Sequence, residues 1–386
     1  MLEGARRVGK SWIVQEFATR EYRHCLILDF AKVKKSVREI FDDKLDDLDE
    51  FFMLLEARTG VTLVPNETLI VFDEVQRFPR AREAIKYLVA DGRFHYIETG
   101  SLISIKKNVE KIVIPSEEIK VQMHPMDFEE FLWAIGRGGA WPLAERRFNE
   151  RKPMGQVDHR MMMELFRQYL VVGGMPQAVA AFAAEKRLET VERVKRAILD
   201  LYAEDIGKFA GRLKNKVRSI WKALPSELSH QGRRFCPSAV GSDVRSRELD
   251  APFDWLDESM TVNLAYNVTD PNIGFRQNED RVACKCYMGD TGLLVSQAFS
   301  ERVLVAEQIH SRILSKSLEF NSGMFVENAV AQMLAASGHA LLFFARSDSK
   351  TRKNTMEIDF LIDKSVWTRR RNVVPLEVKS SRKYDH

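Results

Sequence analysis

This 386-residue chain is predicted to be an α/β protein. A parallel phosphate-loop sheet with flanking helices comes first, then a helical and winged-helix segment, and last a small mixed α/β sheet. Three observations predict it. The run Gly4-Ala-Arg-Arg-Val-Gly9-Lys10-Ser11 has the spacing G-x-x-x-x-G-K-[ST], which lets a backbone loop wrap phosphate groups. The apolar run Thr68–Phe72 ends in Asp73 and Glu74, as a parallel strand buried on both faces does when its C-terminal end lies at the ligand edge of a sheet. Towards the other end, a helical run from Met324 is followed by two strand-like runs, 357–362 and 373–379.

At the first motif, Gly4 and Gly9 permit the tight turn and point N–H groups inward. Lys10 would reach the β- and γ-phosphates of ATP, and Ser11 would ligate Mg²⁺. Arg6 and Arg7 lie inside the loop, where they would assist phosphate binding, Arg7 as a nucleotide-binding residue, or pack the loop's outer face. Trp12, Ile13, Val14 and Phe17 place apolar side chains at helical intervals behind the loop. Only Met1, Leu2 and Glu3 precede Gly4, so the strand from which such a loop hangs is expected to be nearly absent. The acidic stretch 42–50 reads as one solvated helix, with Leu45, Leu48, Phe51 and Phe52 as its apolar stripe.

The run ending in Asp73-Glu74 is a Walker B pattern. Asp73 would hold the Mg²⁺ shell, Glu74 would orient or deprotonate the attacking water, and Glu74 and the phosphate-binding Lys10 are the candidate catalytic residues. A further strand, 94–101, ends in hydroxyl residues, and its Thr99 would sense the γ-phosphate. Gly136-Arg-Gly-Gly139 breaks the pattern and closes the first domain, expected over 1–135. Helical spacing from Met161 to Phe209, interrupted at Gly173-Gly174 and Pro176, makes 136–215 a helical segment. Short helices and a hairpin between Ile220 and Val268 fit a winged-helix-like module over 216–300, able to bind DNA or to pack between domains.

Composition bounds the function class. Hydrophobic residues make up 45% of the chain, ample for more than one core. The longest apolar runs fall short of a membrane span, and the start lacks a secretory core, so the expectation is a cytoplasmic protein without a membrane partner. Four cysteines do not make a disulfide scaffold, and Cys284-Lys285-Cys286 lacks zinc spacing. A net charge of +4 is only mildly basic. Basic stretches occur at Lys186 and Arg187, from Lys208 to Arg218, at Lys350 to Lys353, and at Arg369 to Arg371. They could follow a phosphate backbone, and charged surface helices would look the same.

A second constellation lies in the expected last domain, 301–386. Glu377 and Lys379 are two apart on a strand and so share a face. With Asp359 on the adjoining strand, Asp359 and Glu377 could hold a second Mg²⁺, Lys379 could polarise the attacked phosphate or water, and Glu327 could complete the cluster from its helix. Alternating charge on a solvent-facing sheet would give the same letters.

The series of Gly4–Ser11, Val71-Phe-Asp-Glu-Val-Gln76, Thr99-Gly-Ser101 and Pro125–Leu132 resembles the AAA-type ATPases widespread in archaea and bacteria that carry an uncharacterised C-terminal region. The likeness continues through Tyr169–Pro176, Tyr287–Leu294 and Leu376–Lys379. It implies an ATPase domain using ATP and Mg²⁺, a helical segment, a winged-helix-like module and a terminal domain similar to restriction-type nucleases. The expected partners are ATP, with DNA or another nucleic acid and a second copy of the chain as candidates. Two functions of different class follow. One is an ATPase whose nucleotide state moves the later parts. The other is a metal-dependent nuclease or nucleic-acid-binding module with a regulatory or relic ATPase domain. In the family, further helix and strand usually follow the position of Lys379.

Overall fold

The computed structural model describes residues 1–100, 118–230, 234–271, 275–299, 322–347, 354–363 and 373–379. Ser101, Lys350, Arg352, Lys353 and Arg369 to Arg371, singled out above, lie outside the described residues. The α/β expectation holds. The chain divides into two compact units, Met1–Met123 and His124–His386.

The first unit is a five-stranded sheet with helices on both faces. Its strands are β1 (Leu2–Gly4), β2 (His24–Asp29), β3 (Thr68–Asp73), β4 (His95–Gly100) and β5 (Val121–Met123), in the order β2-β3-β4-β1-β5. Every pairing is parallel. A short strand, Leu2–Gly4, therefore does lead into the phosphate loop. Leu2 pairs with Thr99 on one side and with Val121 on the other, so hydrogen-bonded neighbours on both edges hold what three residues alone could not.

Side chains alternate across β3. Leu69 and Val71 face α1 (Lys10–Glu21), while Ile70 and Phe72 face α2 (Lys35–Asp43), α3 (Leu48–Thr59) and α4 (Pro79–Asp91). On the α1 side the seam is Val14 and Ala18. Trp12, Ile13 and Phe17 are exposed, so the apolar spacing of this helix does not mark its packed face. On the other side Phe30, Phe41, Phe51 and Phe72 meet edge-on, with ring centroids 5.1 to 5.8 Å apart.

The acidic stretch is two helices rather than one. Asp47 ends the intervening turn and caps α3, accepting from the N–H groups of Asp49 and Glu50 at 3.1 Å. Arg82, on α4, is fully buried and pairs with both Glu98 and Glu118. Burial pushes the Glu98 carboxyl up to about 7 despite that arginine.

The second unit opens with helices α5 (Phe128–Ala134), α6 (Ala140–Asn149), α7 (Gln156–Val172), α8 (Pro176–Glu185) and α9 (Leu188–Phe209). Then follow α10 (Lys214–Ser229), α11 (Asp250–Glu258), the hairpin β6 (Val262–Val268) and β7 (Glu279–Met288), and α12 (Thr291–Ala298). The last described elements are α13 (Ser322–Ala336), β8 (Leu342–Ser347), β9 (Asn354–Ile358), β10 (Phe360–Asp363) and β11 (Val373–Leu376).

The sheet order β7-β6-β8-β9 carries the hairpin into one sheet with β8 and β9, β6 and β8 running parallel, while β10 and β11 pair as a separate sheet. A boundary at residue 300 would cut the β7-β6-β8-β9 sheet, and the two compact units divide after Met123. Both follow from contacts distant in sequence, which local patterning does not report. The breaks at Gly173-Gly174 and Pro176 fall where the helical spacing places them.

Two motifs far apart in the chain prove to be one packing joint. A Cβ on Gly174 would lie 2.0 Å from the Met126 carbonyl oxygen, so the two backbones meet where only glycine fits. The buried Asp290 carboxylate accepts from the N–H of Gly174 at 2.5 Å and from that of Leu293 at 2.9 Å, capping α12. Asn328 and Gln332, on α13, bond Met288, Thr291 and Met126.

Candidate functional site

The phosphate-loop residues converge at the C-terminal edge of the first sheet. A Cβ on Gly4 would stand 2.5 Å from the Met123 carbonyl oxygen, so a side chain there would push β1 from β5. Gly9 adopts φ 99°, the left-handed turn that starts α1, and no side chain caps this helix end. Lys10 is buried and its ammonium donates to the carbonyl oxygens of Gly4 and Ala5, both at 2.9 Å. The cation is thereby folded over the loop that it would serve. Burial lowers its pKa to about 8, against the opposing pull of Glu74 and Asp73.

Sheet order explains the next contacts. Because β4 lies between β1 and β3, its tip faces both the loop and the Walker B strand. The Ser11 hydroxyl donates to Asp73 Oδ1 at 3.0 Å across 62 residues of sequence, and the buried Thr99 hydroxyl donates to the same oxygen. Ser11 and Asp73 thus place two hard oxygen donors side by side at the positive end of α1. That donor set suits Mg²⁺ beside phosphate. Glu74 takes a left-handed backbone, φ 55°, just past the strand. Its Oε2 accepts from Gln76 Nε2 at 2.9 Å and lies 3.6 Å from Arg77 Nε. Arg7 also has a positive φ, 70°, and its side chain is exposed.

The second constellation assembles differently from its sequence reading. Asp359 lies between two strands rather than within one: β9 pairs with β8, and β10 pairs with β11. Asp359 Oδ2 accepts from the N–H of Val378 at 2.8 Å, so the run from Glu377 to Lys379 does come beside it. These residues follow the end of β11, however, and Glu377 is exposed and paired with Lys379. Glu327 is fully buried on α13 and faces Lys285, from β7.

No group of three or more His, Cys, Asp or Glu side chains able to hold a metal forms among the described residues. The Lys285 ammonium lies 3.4 Å from Glu327 Oε1 and 3.7 Å from Asp359 Oδ1. The free cysteines Cys284 and Cys286 are buried in β7 on either side of it.

Gln76, Arg82 and Lys285 were not legible as site residues. A lysine inside the apolar run 282–288 was the available signal for the last. The basic residues Lys208 and Lys216 form ion pairs with Glu204 and Glu248.

The fold and the loop define a phosphate-loop α/β unit. Residues 1–132 match a family model described as AAA domain, and residues 163–302 match one described as a domain of unknown function (DUF8612). Neither span reaches Asp359, Glu377 or Lys379. No curated protein matches the chain. The match of residues 1–132 supports a nucleotide-binding, ATPase-like function for the first unit. No described helix is long and apolar enough to cross a membrane.

Proposed function

We propose that the protein is a Mg²⁺-dependent ATPase whose first unit binds Mg-ATP over Gly4, Gly9, Lys10 and Ser11 and hydrolyses it. The observation that carries this reading is the contact of Ser11 with Asp73, at 3.0 Å, directly beside the folded-over Lys10. Bound phosphates would draw the Lys10 ammonium from the two loop carbonyls. Backbone N–H groups at the start of α1 would take phosphate oxygens. Mg²⁺, held by Ser11 and Asp73, would supply charge neutralisation. Glu74 would orient or deprotonate the attacking water, and Thr99, fixed to Asp73, would face the γ-phosphate from the neighbouring strand tip. Nucleotide state would be read out by the second unit.

Calorimetry of Mg-ATP binding to the full chain and to Lys10→Ala tests the site. Binding that is lost in the variant supports the reading, and equal binding by both refutes it. For hydrolysis, Glu74→Gln should bind Mg-ATP as the wild type does and turn over at least about a hundredfold more slowly.

A further inference from the structure

We propose that the Lys285 ammonium is the resident cation of the carboxylate cluster in the second unit, so that Glu327, Glu357 and Asp359 are joined through a lysine and not through a divalent metal. Lys285 is 1% exposed in the middle of β7. Its Nζ lies 3.1 Å from Glu357 Oε1, 3.4 Å from Glu327 Oε1 and 3.7 Å from Asp359 Oδ1. Three elements thereby meet at one nitrogen: α13 through Glu327, the end of β9 through Glu357, and the step from β9 to β10 through Asp359.

The remaining walls are built for an ammonium. The Phe343 ring, from β8, has its centroid 5.0 Å from Nζ, close enough for a cation–π contact. Tyr287, two residues along β7 and so on the same face, donates its hydroxyl to Glu327 Oε1 at 2.5 Å. Asp359 spends its other oxygen on the Val378 N–H.

A hard divalent ion needs several oxygens at about 2.0–2.6 Å from one point. The point shared by these carboxylates is taken by a positive charge, at distances proper to an ammonium. Admitting a metal would bring two cations together or push the lysine against Phe343 and buried apolar strand, and either is costly. The Lys379 side chain, which the sequence pattern nominates for catalysis, is paired with Glu377 and is exposed. The cluster thus ties a helix to the sheet and does not make a phosphodiester-cleaving centre. This inference is independent of the ATPase reading.

The test is Mn²⁺ binding to the nucleotide-free full chain, followed by electron paramagnetic resonance. Weak binding at Ser11 and Asp73 is common to all forms and cancels in the comparison. Wild type and Asp359→Asn should bind the same amount of Mn²⁺. Lys285→Met should gain one Mn²⁺ per chain, lost again in Lys285→Met/Asp359→Asn, and Mn²⁺ should raise its melting temperature. A wild-type Mn²⁺ site abolished by Asp359→Asn would overturn the proposal, and that comparison stands even if Lys285→Met fails to fold. A natively folded Lys285→Met that gains no Mn²⁺ would overturn it as well.

Discussion

Raising the pH from 7 to 9 should weaken Mg-ATP binding through a single side chain. In the nucleotide-free protein burial lowers the Lys10 pKa from 10.5 to about 8, with Arg6 also lowering it and Glu74 and Asp73 raising it. Phosphates at the loop favour the charged form and should restore the ordinary value. Binding then takes up a proton wherever the free ammonium has lost one. Near pH 8 that is about half a proton per ATP, since the free group is half titrated at its pKa.

From pH 7 to pH 9 the protonated fraction of free Lys10 drops from roughly nine tenths to roughly one tenth, so affinity should fall about tenfold, or ~1.4 kcal/mol. Calorimetry at pH 8 in buffers of different ionisation enthalpy measures the proton directly, and a series from pH 7 to 9 measures the affinity. A buffer-independent enthalpy together with flat affinity would refute the reasoning. Lys10 would then not be a buried cation waiting for phosphate.

Four further outcomes follow from the same contacts. Arg82→Ala would leave Glu98 and Glu118 buried without their cation, at a cost of about 3–5 kcal/mol in urea unfolding; a loss under about 1 kcal/mol would show that the pairs contribute little. Burial holds the Glu98 carboxyl near 7 against an ordinary 4.5, so its stabilising contribution is full below pH 4.5 and lost as pH rises through 7. Glu98→Gln should flatten that part of the melting-temperature profile. Gly4→Ala places a Cβ 2.5 Å from the Met123 carbonyl, and Mg-ATP affinity should drop more than about tenfold by calorimetry as the loop loses its strand pairing. Gln76→Ala removes the donor that holds Glu74, and kcat for ATP hydrolysis should fall about tenfold to a hundredfold with KM little changed.

Much of the first unit is legible in its letters because its constraints are local. The glycine spacing of the loop, the apolar run ending in Asp73 and the hydroxyl at Thr99 each reflect backbone or burial requirements within a few residues. The helix breaks at Gly173-Gly174 and Pro176 are legible for the same reason. What failed was partner choice. The spacing of Trp12, Ile13 and Phe17 is helical, but these three are exposed, and the seam against Leu69 and Val71 of β3 is Val14 and Ala18.

By itself the sequence determined an α/β chain with a phosphate loop, a Walker B strand and a second set of acids and lysines, because each obeys a short-range rule of spacing or alternation. Only the tertiary structure decided what those groups touch. It inserted β4 between β1 and β3 and so set Thr99 on Asp73; it also gave three residues a parallel partner on each edge, which makes them a strand. In the second unit it brought Lys285 from another part of the chain to the point where the acids meet. A charge buried at such a junction must find its partners across the fold, and no local pattern records which partners those will be.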